Sequence, residues 1–526
     1  MQQIRPVEPP APLPDGTGLK IDPGAAAQLP ASAPFTVSSI RIAGNRLFDT
    51  ATLHALVRDA EGKELTLSQL GELAARITAY YRDHGYPLAR AFIPAQTIRD
   101  GLFTIEVIEA RYGRIGLDNR STVRDKLLEA TLSGLQSDQP IEQSALDRSL
   151  LLLSDIPGIV NSATLRPGEA TGTSDLLVES AAGAAVSGNL MLDGYGNRYT
   201  GRARAGGTVN FINPLHMGDI LGASVMFSGK GMNYGRLSYE SLLNGYGTRA
   251  GASWSSMRYV LGDTLEPLNA HGSAQVTGLW ARHPLVRSRN ANISAQMQYE
   301  HKQLRDHIDM FGFRTDRHLE NWTASLSGDM RDTLLSDSIN TWNLGWTSGS
   351  VGFDDPAAQL ADALTAGTQG GFSKWNAAFT SLQGLSPANE LYLAVMGQWA
   401  NSNLDSAEKM VVGGPATVRA YDTGAASGDE GYFAGIEFRH MHQGAWNGRW
   451  QGVLFIDTGH LKINRNTWVS GTNSATLSGA GIGLNWNGPE RWSGRIHVAK
   501  PIGPTPELLG SNRPSVQAWG EISKSF

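Results

Sequence analysis

The feature that most constrains this chain is a change of hydrophobic period near Ala184. Before it, apolar residues recur every three or four positions. After it they alternate, in short segments parted by turn residues, to the end of the chain. In Gly431–His440, Tyr432, Ala434, Ile436 and Phe438 share one face, and Phe433, Gly435, Glu437 and Arg439 the other. In Val516–Phe526, Val516, Ala518, Gly520 and Ile522 face one way, and Gln517, Trp519, Glu521 and Ser523 the other. A period of two marks strands with two unlike sides. Sixteen such segments fit, starting near 184, 199, 218, 232, 248, 272, 291, 320, 338, 373, 391, 431, 450, 474, 492 and 515. That spacing suits strands of roughly 10 residues joined alternately by short turns and long loops, as in a membrane-spanning barrel. A pair of soluble β-sandwiches or a propeller is the alternative. Against it stand the even count, the Trp and Tyr at segment ends, and a last strand that finishes on Phe526.

Composition removes other classes. Charged residues make up 18%, against about 25% in an average soluble protein. The net charge of −5 gives no bulk positive field, so no nucleic-acid partner is expected. There are no cysteines, which excludes disulfide scaffolds, zinc ribbons, iron–sulfur sites and thiol nucleophiles. No run approaches the length of a transmembrane helix, a test to which barrel strands are blind.

Ahead of Ala184 the chain has three parts. Residues 1–34 hold eight prolines and read as an extended linker; Asp22–Leu29 is the one candidate for a short plug helix. No basic start and apolar core mark a signal peptide, so for an exported chain the numbering is expected to begin at the mature protein. Residues 35–110 read as strand, helix, helix, strand, strand. Asp49 caps the first helix, Thr66 and Gln69 have capping-box spacing, and Leu70, Leu73, Ile77 and Tyr80 form a helical stripe. Residues 111–183 repeat the order, with Ser121 as a helix cap and Leu146, Leu150 and Leu153 on the second helix.

The residues resemble a known family, the outer-membrane transporters of two-partner (type V) secretion. These are the TpsB proteins of the filamentous-haemagglutinin and haemolysin exporter type, within the barrel-assembly superfamily. The first repeat carries the likeness in "LTLSQLGELAARITAYYRDHGYPLARAFIPAQTI" and "IEVIEA", and the second in "DIPGIVNSATLRPGEATGTSDLLV". The barrel carries it in "NPLHMGD", "YVLGDTLEPLNAHG", "RHPLVRSR", "GGPATVRAYDTG", "GIEFRH" and "FIDTG". The resemblance implies two periplasmic α/β POTRA domains, 35–110 and 111–183, and a 16-stranded barrel over 184–526. It implies secretion of one large exoprotein, bearing an amino-terminal secretion domain, without nucleotide hydrolysis. A barrel or protein insertase, or a diffusion porin, is the alternative function.

The same resemblance places residues 402–430 as a loop, between the eleventh and twelfth strands, that folds back into the lumen. Its tip carries Val418, Arg419 and Tyr421, with Ala420 where the motif has Gly. A left-handed backbone there would strain Ala. The period of two puts Phe455, Asp457 and Gly459 on one face, and an acidic residue on the lipid side is costly, so that face should be the lumen. Arg419 and Asp457 are the expected latch, with Glu437 and Arg439 as secondary lumen contacts. Leu146 and Leu150 are the candidate cargo-binding residues, and Phe526 the insertion signal. Other expected partners are outer-membrane lipid, the barrel-assembly machinery and periplasmic chaperones, with the transporter a monomer. No enzyme, cofactor or metal is expected. His440 and His442 lack further ligands nearby, and the glycines of Gly479–Gly483 lack phosphate-loop spacing.

Overall fold

The computed structural model describes residues 19–21, 33–332, 337–443, 447–504, 506–509 and 515–526. The chain divides into two compact units that meet in sequence at Gly183 and Ala184.

The first unit contains both α/β repeats. It opens with β1 (Leu19–Ile21), β2 (Phe35–Thr36), β3 (Ser39–Ala43), α1 (Thr50–Ala55), β4 (Glu64–Leu65), α2 (Leu67–Asp83), β5 (Arg90–Phe92) and β6 (Leu102–Ile108). The first repeat's sheet has the order β3-β6-β5, with β3 parallel to β6. Ile40, Ile42, Phe103 and Ile105 alternate onto its inner face and meet Leu53, Leu70, Ile77 and Tyr81 of the helices, all buried. The Asp49 carboxylate accepts the Thr52 N–H, and Thr66 and Gln69 form the capping box. Glu109 accepts hydrogen bonds from the Arg46 and Leu47 N–H groups and the Tyr81 hydroxyl, fixing the approach to α1. Burial, reinforced by that carboxylate, pushes the Tyr81 phenol well above its usual range.

The second repeat follows as β7 (Arg111–Arg120), α3 (Asp125–Leu132), α4 (Gln143–Ser154), β8 (Ile159–Pro167) and β9 (Thr173–Ala182). Its sheet has the order β1-β8-β9-β7. The strand β1, from the segment read as linker, adds itself parallel to β8, with Leu19 opposite Ala163 and Ile21 opposite Leu165. The Asp22–Leu29 candidate helix lies outside the described residues. Ser121 is not a helix cap: its hydroxyl accepts the Val123 N–H in a turn, and α3 starts after Arg124. Leu146 and Leu150 are core residues, 1% and 3% exposed, and offer no surface to a cargo. They face inward because α4 must bury a full apolar stripe against the sheet.

The second unit is a closed antiparallel barrel. Its strands are β10 (Val186–Asp193), β11 (Arg204–Ile212), β12 (Ile220–Phe227), β13 (Met232–Leu242), β14 (Arg249–Val260), β15 (Ala270–Arg287), β16 (Ala291–Ile308), β17 (Phe313–Asp332), β18 (Ser338–Phe353), then, after α5 (Pro356–Ala363), β19 (Gly370–Ser386) and β20 (Asn389–Ala400). A connection carrying β21 (Met410–Val412) and β22 (Ala426–Gly428) leads to β23 (Glu430–Gln443), β24 (Arg449–Lys462), β25 (Ser474–Asn487), β26 (Trp492–Pro501) and β27 (Gln517–Ser525). Leaving out the β21–β22 hairpin, sixteen strands close the ring, β27 pairing back onto β10. The strands are not uniform: β10 has 8 residues and β17 has 20. β11 begins at Arg204 rather than near 199, and β17 at Phe313 rather than near 320.

The outward faces are apolar and exposed, as lipid requires: Leu190, Leu237, Trp254, Trp322, Leu454 and Ile482 are examples. Arg282–Arg287 is the end of β15, and the turn to the next strand is residues 288–290. Pro284 is tolerated there because the register shifts beside it. Phe526 closes the seam, exchanging two backbone hydrogen bonds with Gly188.

Candidate functional site

The connection between Ala400 and Glu430 turns into the barrel lumen as a hairpin, β21 paired with β22. Beyond β21, Gly413 and Gly414 have φ of +105° and +104°, a conformation that favours glycine. They reverse the chain, and the Gly414 N–H donates to the Tyr421 carbonyl. The tip between them presents Val418, Arg419, Ala420 and Tyr421, all buried.

Arg419 meets the wall formed by β23 and β24. Its Nε donates to Asp457 Oδ2 at 2.8 Å, and its Nη2 to Asp457 Oδ1 at 2.7 Å. Its backbone N–H also donates to Asp457 Oδ2, at 3.1 Å. Nη1 donates to Glu437 Oε1 at 2.6 Å. Glu437 is therefore a direct partner rather than a secondary contact, and Arg439 pairs with its other oxygen at 2.7 Å. Two guanidinium groups and two carboxylates balance, which is the condition for burying such charges. The Phe455 ring lies under the guanidinium, 3.4 Å from the Arg419 Cζ. From β27, Trp519 Nε1 donates to the Arg419 carbonyl at 2.7 Å.

Small residues on the wall make room for the tip. A side chain at Gly459 would meet Val412 and Val418, and one at Gly479 would fall 2.3 Å from the Ala420 methyl. Ala420 is not among the residues with positive φ, so the strain expected there is absent. The methyl occupies space that Gly479 leaves open. The apolar seal is completed by Val412, Val418 and Tyr421 packed against Phe433, Phe455 and Leu477.

A second ionic cluster holds the other end of the hairpin. Glu408, 4% exposed, accepts Lys302 Nζ at 2.7 Å, Lys374 Nζ at 2.8 Å and Asn321 Nδ2 at 2.8 Å, from β16, β19 and β17. Beside it Arg317 Nε donates to Asp405 Oδ2 at 2.6 Å. The loop is thus tied to β16–β20 at its base and to β23–β27 at its tip.

The structure brings Val418, Arg419, Tyr421, Phe455, Asp457, Gly459, Glu437 and Arg439 into one place. Sequence reading missed Trp519 and Glu408. Trp519 had a signal, since it shares a face with Gln517 and Glu521 where a lipid-facing Trp would not. Glu408 had none: its partners lie on three other strands. His440 contacts Asn389 through Nδ1 at 2.9 Å, and among the described residues no group of three or more ligating side chains is gathered for a metal.

With this geometry in hand, comparison with known proteins is decisive. The family model described as haemolysin secretion/activation protein ShlB/FhaC/HecB matches residues 172–486. This chain belongs to that family. A POTRA domain of the ShlB type matches residues 35–110. The heme/hemopexin transporter protein HuxB of Haemophilus influenzae (strain 86-028NP) is 27% identical over 94% of this chain and 87% of its own length. The outer membrane transporter CdiB of Escherichia coli O6:K15:H31 (strain 536 / UPEC) is 23% identical over 86% of this chain and 76% of its own. The fold matches the solved structure of CdiB from Escherichia coli with a TM-score of 0.71 at 20% identity, covering 96% of this chain and 93% of that one. As a member of the ShlB/FhaC/HecB family, the chain is an outer-membrane transporter that secretes a partner protein, with its POTRA region in the periplasm.

Proposed function

We propose that this transporter takes one large unfolded exoprotein from the periplasm, threads it through the β10–β27 barrel, and releases it to fold at the cell surface. Residues 35–110 and 111–183 are the capture modules, 184–526 the pore, and 402–430 the loop that fills the lumen at rest. The observation that carries the reading is the loop itself. It is seated by neutralised, buried charges at Arg419–Asp457–Glu437, an arrangement that holds one defined closed state yet forms no covalent obstacle. The reading has no catalytic step and uses no nucleotide or cofactor; surface folding of the cargo supplies direction. The loop charges Asp405, Glu408 and Arg419 are committed to partners on the barrel strands.

Capture needs a surface that accepts extended chains of differing sequence. Backbone pairing at a sheet edge does this. The β8 edge already takes Leu19–Ile21 as an added strand, so a cargo segment can replace it with similar hydrogen bonds. The transporter acts as a monomer, with lipid around the barrel, the barrel-assembly machinery for its insertion through the Phe526 strand, and periplasmic chaperones delivering cargo. Cells carrying this chain and its partner exoprotein should release that exoprotein. Retention in the periplasm with the barrel correctly assembled would reject the reading.

A further inference from the structure

The two sides of the lumen differ in chemistry. The side formed by β23–β26 is apolar around Phe433, Phe455, Leu477 and Ala499, and the loop tip covers it. The other side, from β13 to β19, is open to a cavity that the loop segment Ser406–Val411 borders. Hydroxyl and amide side chains are the largest single group in its lining, among them Ser253, Ser255, Thr323, Ser325, Asn343 and Asn376, with small and apolar residues such as Ala274, Val276 and Ala378 between them. Several pair with each other along the wall: Thr323 with Thr347 at 2.9 Å, and Asn376 with Gln398 at 2.9 Å. The charges here are largely cancelled. Lys302 and Lys374 both contact Glu408, and Lys302 also contacts Glu300 at 3.2 Å. Arg236 is the one further cation that the cavity exposes on this wall among the described residues.

Resting on the transport reading above, we propose that the moving polypeptide runs along the β13–β19 wall, while the β23–β26 wall stays under the loop. An unfolded chain presents backbone N–H and C=O groups at every residue and side chains of every type. A wall of neutral donors and acceptors exchanges hydrogen bonds with all of it and binds no part tightly. Conduction requires such weak, repeated contacts. An apolar wall would hold hydrophobic segments by burying their surface. A wall of one charge sign would trap segments of the other sign.

The absence of cysteine makes the test direct, because one engineered thiol is the only thiol. Ser255→Cys and Asn343→Cys place it on the proposed path. Ala475→Cys, buried on β25, places it on the covered side, and Leu454→Cys faces lipid. The cargo probe is an amino-terminal fragment of the partner exoprotein that carries one cysteine and is arrested by a fused folded domain. A short bis-maleimide should join it to 255 and 343 several-fold more than to 475, and not to 454. Equal or stronger joining at 475 overturns the path while leaving the transport reading intact. No joining at any lumen position, with cargo still reaching the surface, overturns both. As a second measurement, Ser255→Leu with Ser325→Leu should slow release several-fold with the barrel still folded. Unchanged release would contradict the polar-path argument.

Discussion

The Asp457 carboxylate accepts three hydrogen bonds from Arg419, one from the backbone N–H and two from the guanidinium. Glu437 takes a fourth from the same side chain. The arrangement is unequal: one cation serves two anions, and among the described residues only Glu437 has another cation, Arg439, in reach. Arg419→Ala should therefore be the most damaging single change, since it strands Asp457. Leaving a buried charge unpaired costs about 3–5 kcal/mol. Asp457→Ala should hurt less, because Arg419 keeps Glu437. The double variant should be less than additive, as both changes break one contact. Lys at 419 should rescue in part, retaining the backbone bond and the charge but not the fork. Exoprotein release, scored against heat-modifiable migration of the barrel, checks each.

Ala420 and Gly479 form a steric pair. Gly479→Ala should displace the tip and impair release, since its methyl would fall 2.3 Å from that of Ala420. Adding Ala420→Gly should restore release. Failure of the double variant, with the barrel assembled, would mean that Gly479 serves some other purpose.

Glu408 neutralises two lysines. Glu408→Ala leaves Lys302 and Lys374 buried together and should loosen the loop base, seen as higher channel conductance in planar bilayers. Replacing all three by apolar residues should cost less than Glu408→Ala alone, because the one charge then left without its ionic partner among the described residues is Glu300, which is partly exposed and keeps a hydrogen bond from Gln298. The reverse order would show that the charges act in some way other than by mutual pairing.

In the first repeat, the Ile40 N–H and then His54 hold the Glu61 carboxyl below the ordinary glutamate value of 4.5. A depressed folded-state value stabilises above the unfolded value and is lost as pH falls through the folded one. Hydrogen-exchange protection of β3 should decline below about pH 4.5, and Glu61→Gln should flatten that decline. A decline unchanged in the Gln variant would assign it to another group.

Legibility followed the solvent. Wherever lipid covers a strand, its outward positions must be apolar, so alternation at Leu454, Ile456, Ile436 and Phe438 was readable. β17 was misplaced because its first outward residues are Arg314, Asp316 and His318, which break the polar–apolar contrast. Asp457 was readable because a carboxylate in an otherwise apolar stretch has one affordable side. The Glu408 cluster was not, because it exists only once the ring closes and brings β16, β17 and β19 against a loop 106, 87 and 34 positions from the residues it meets. The pairing of Leu19–Ile21 with β8 was hidden for a like reason. It is three residues long, carried mainly by backbone groups, and leaves little trace in side-chain pattern.

The most direct test of the account is release of the partner exoprotein from cells in which this chain is the sole transporter. The account predicts full-length exoprotein outside cells with the native chain. With Arg419→Ala it predicts periplasmic, degraded exoprotein behind a barrel that still migrates as folded. Release that is undiminished by Arg419→Ala, or that persists when the chain is deleted, would contradict it.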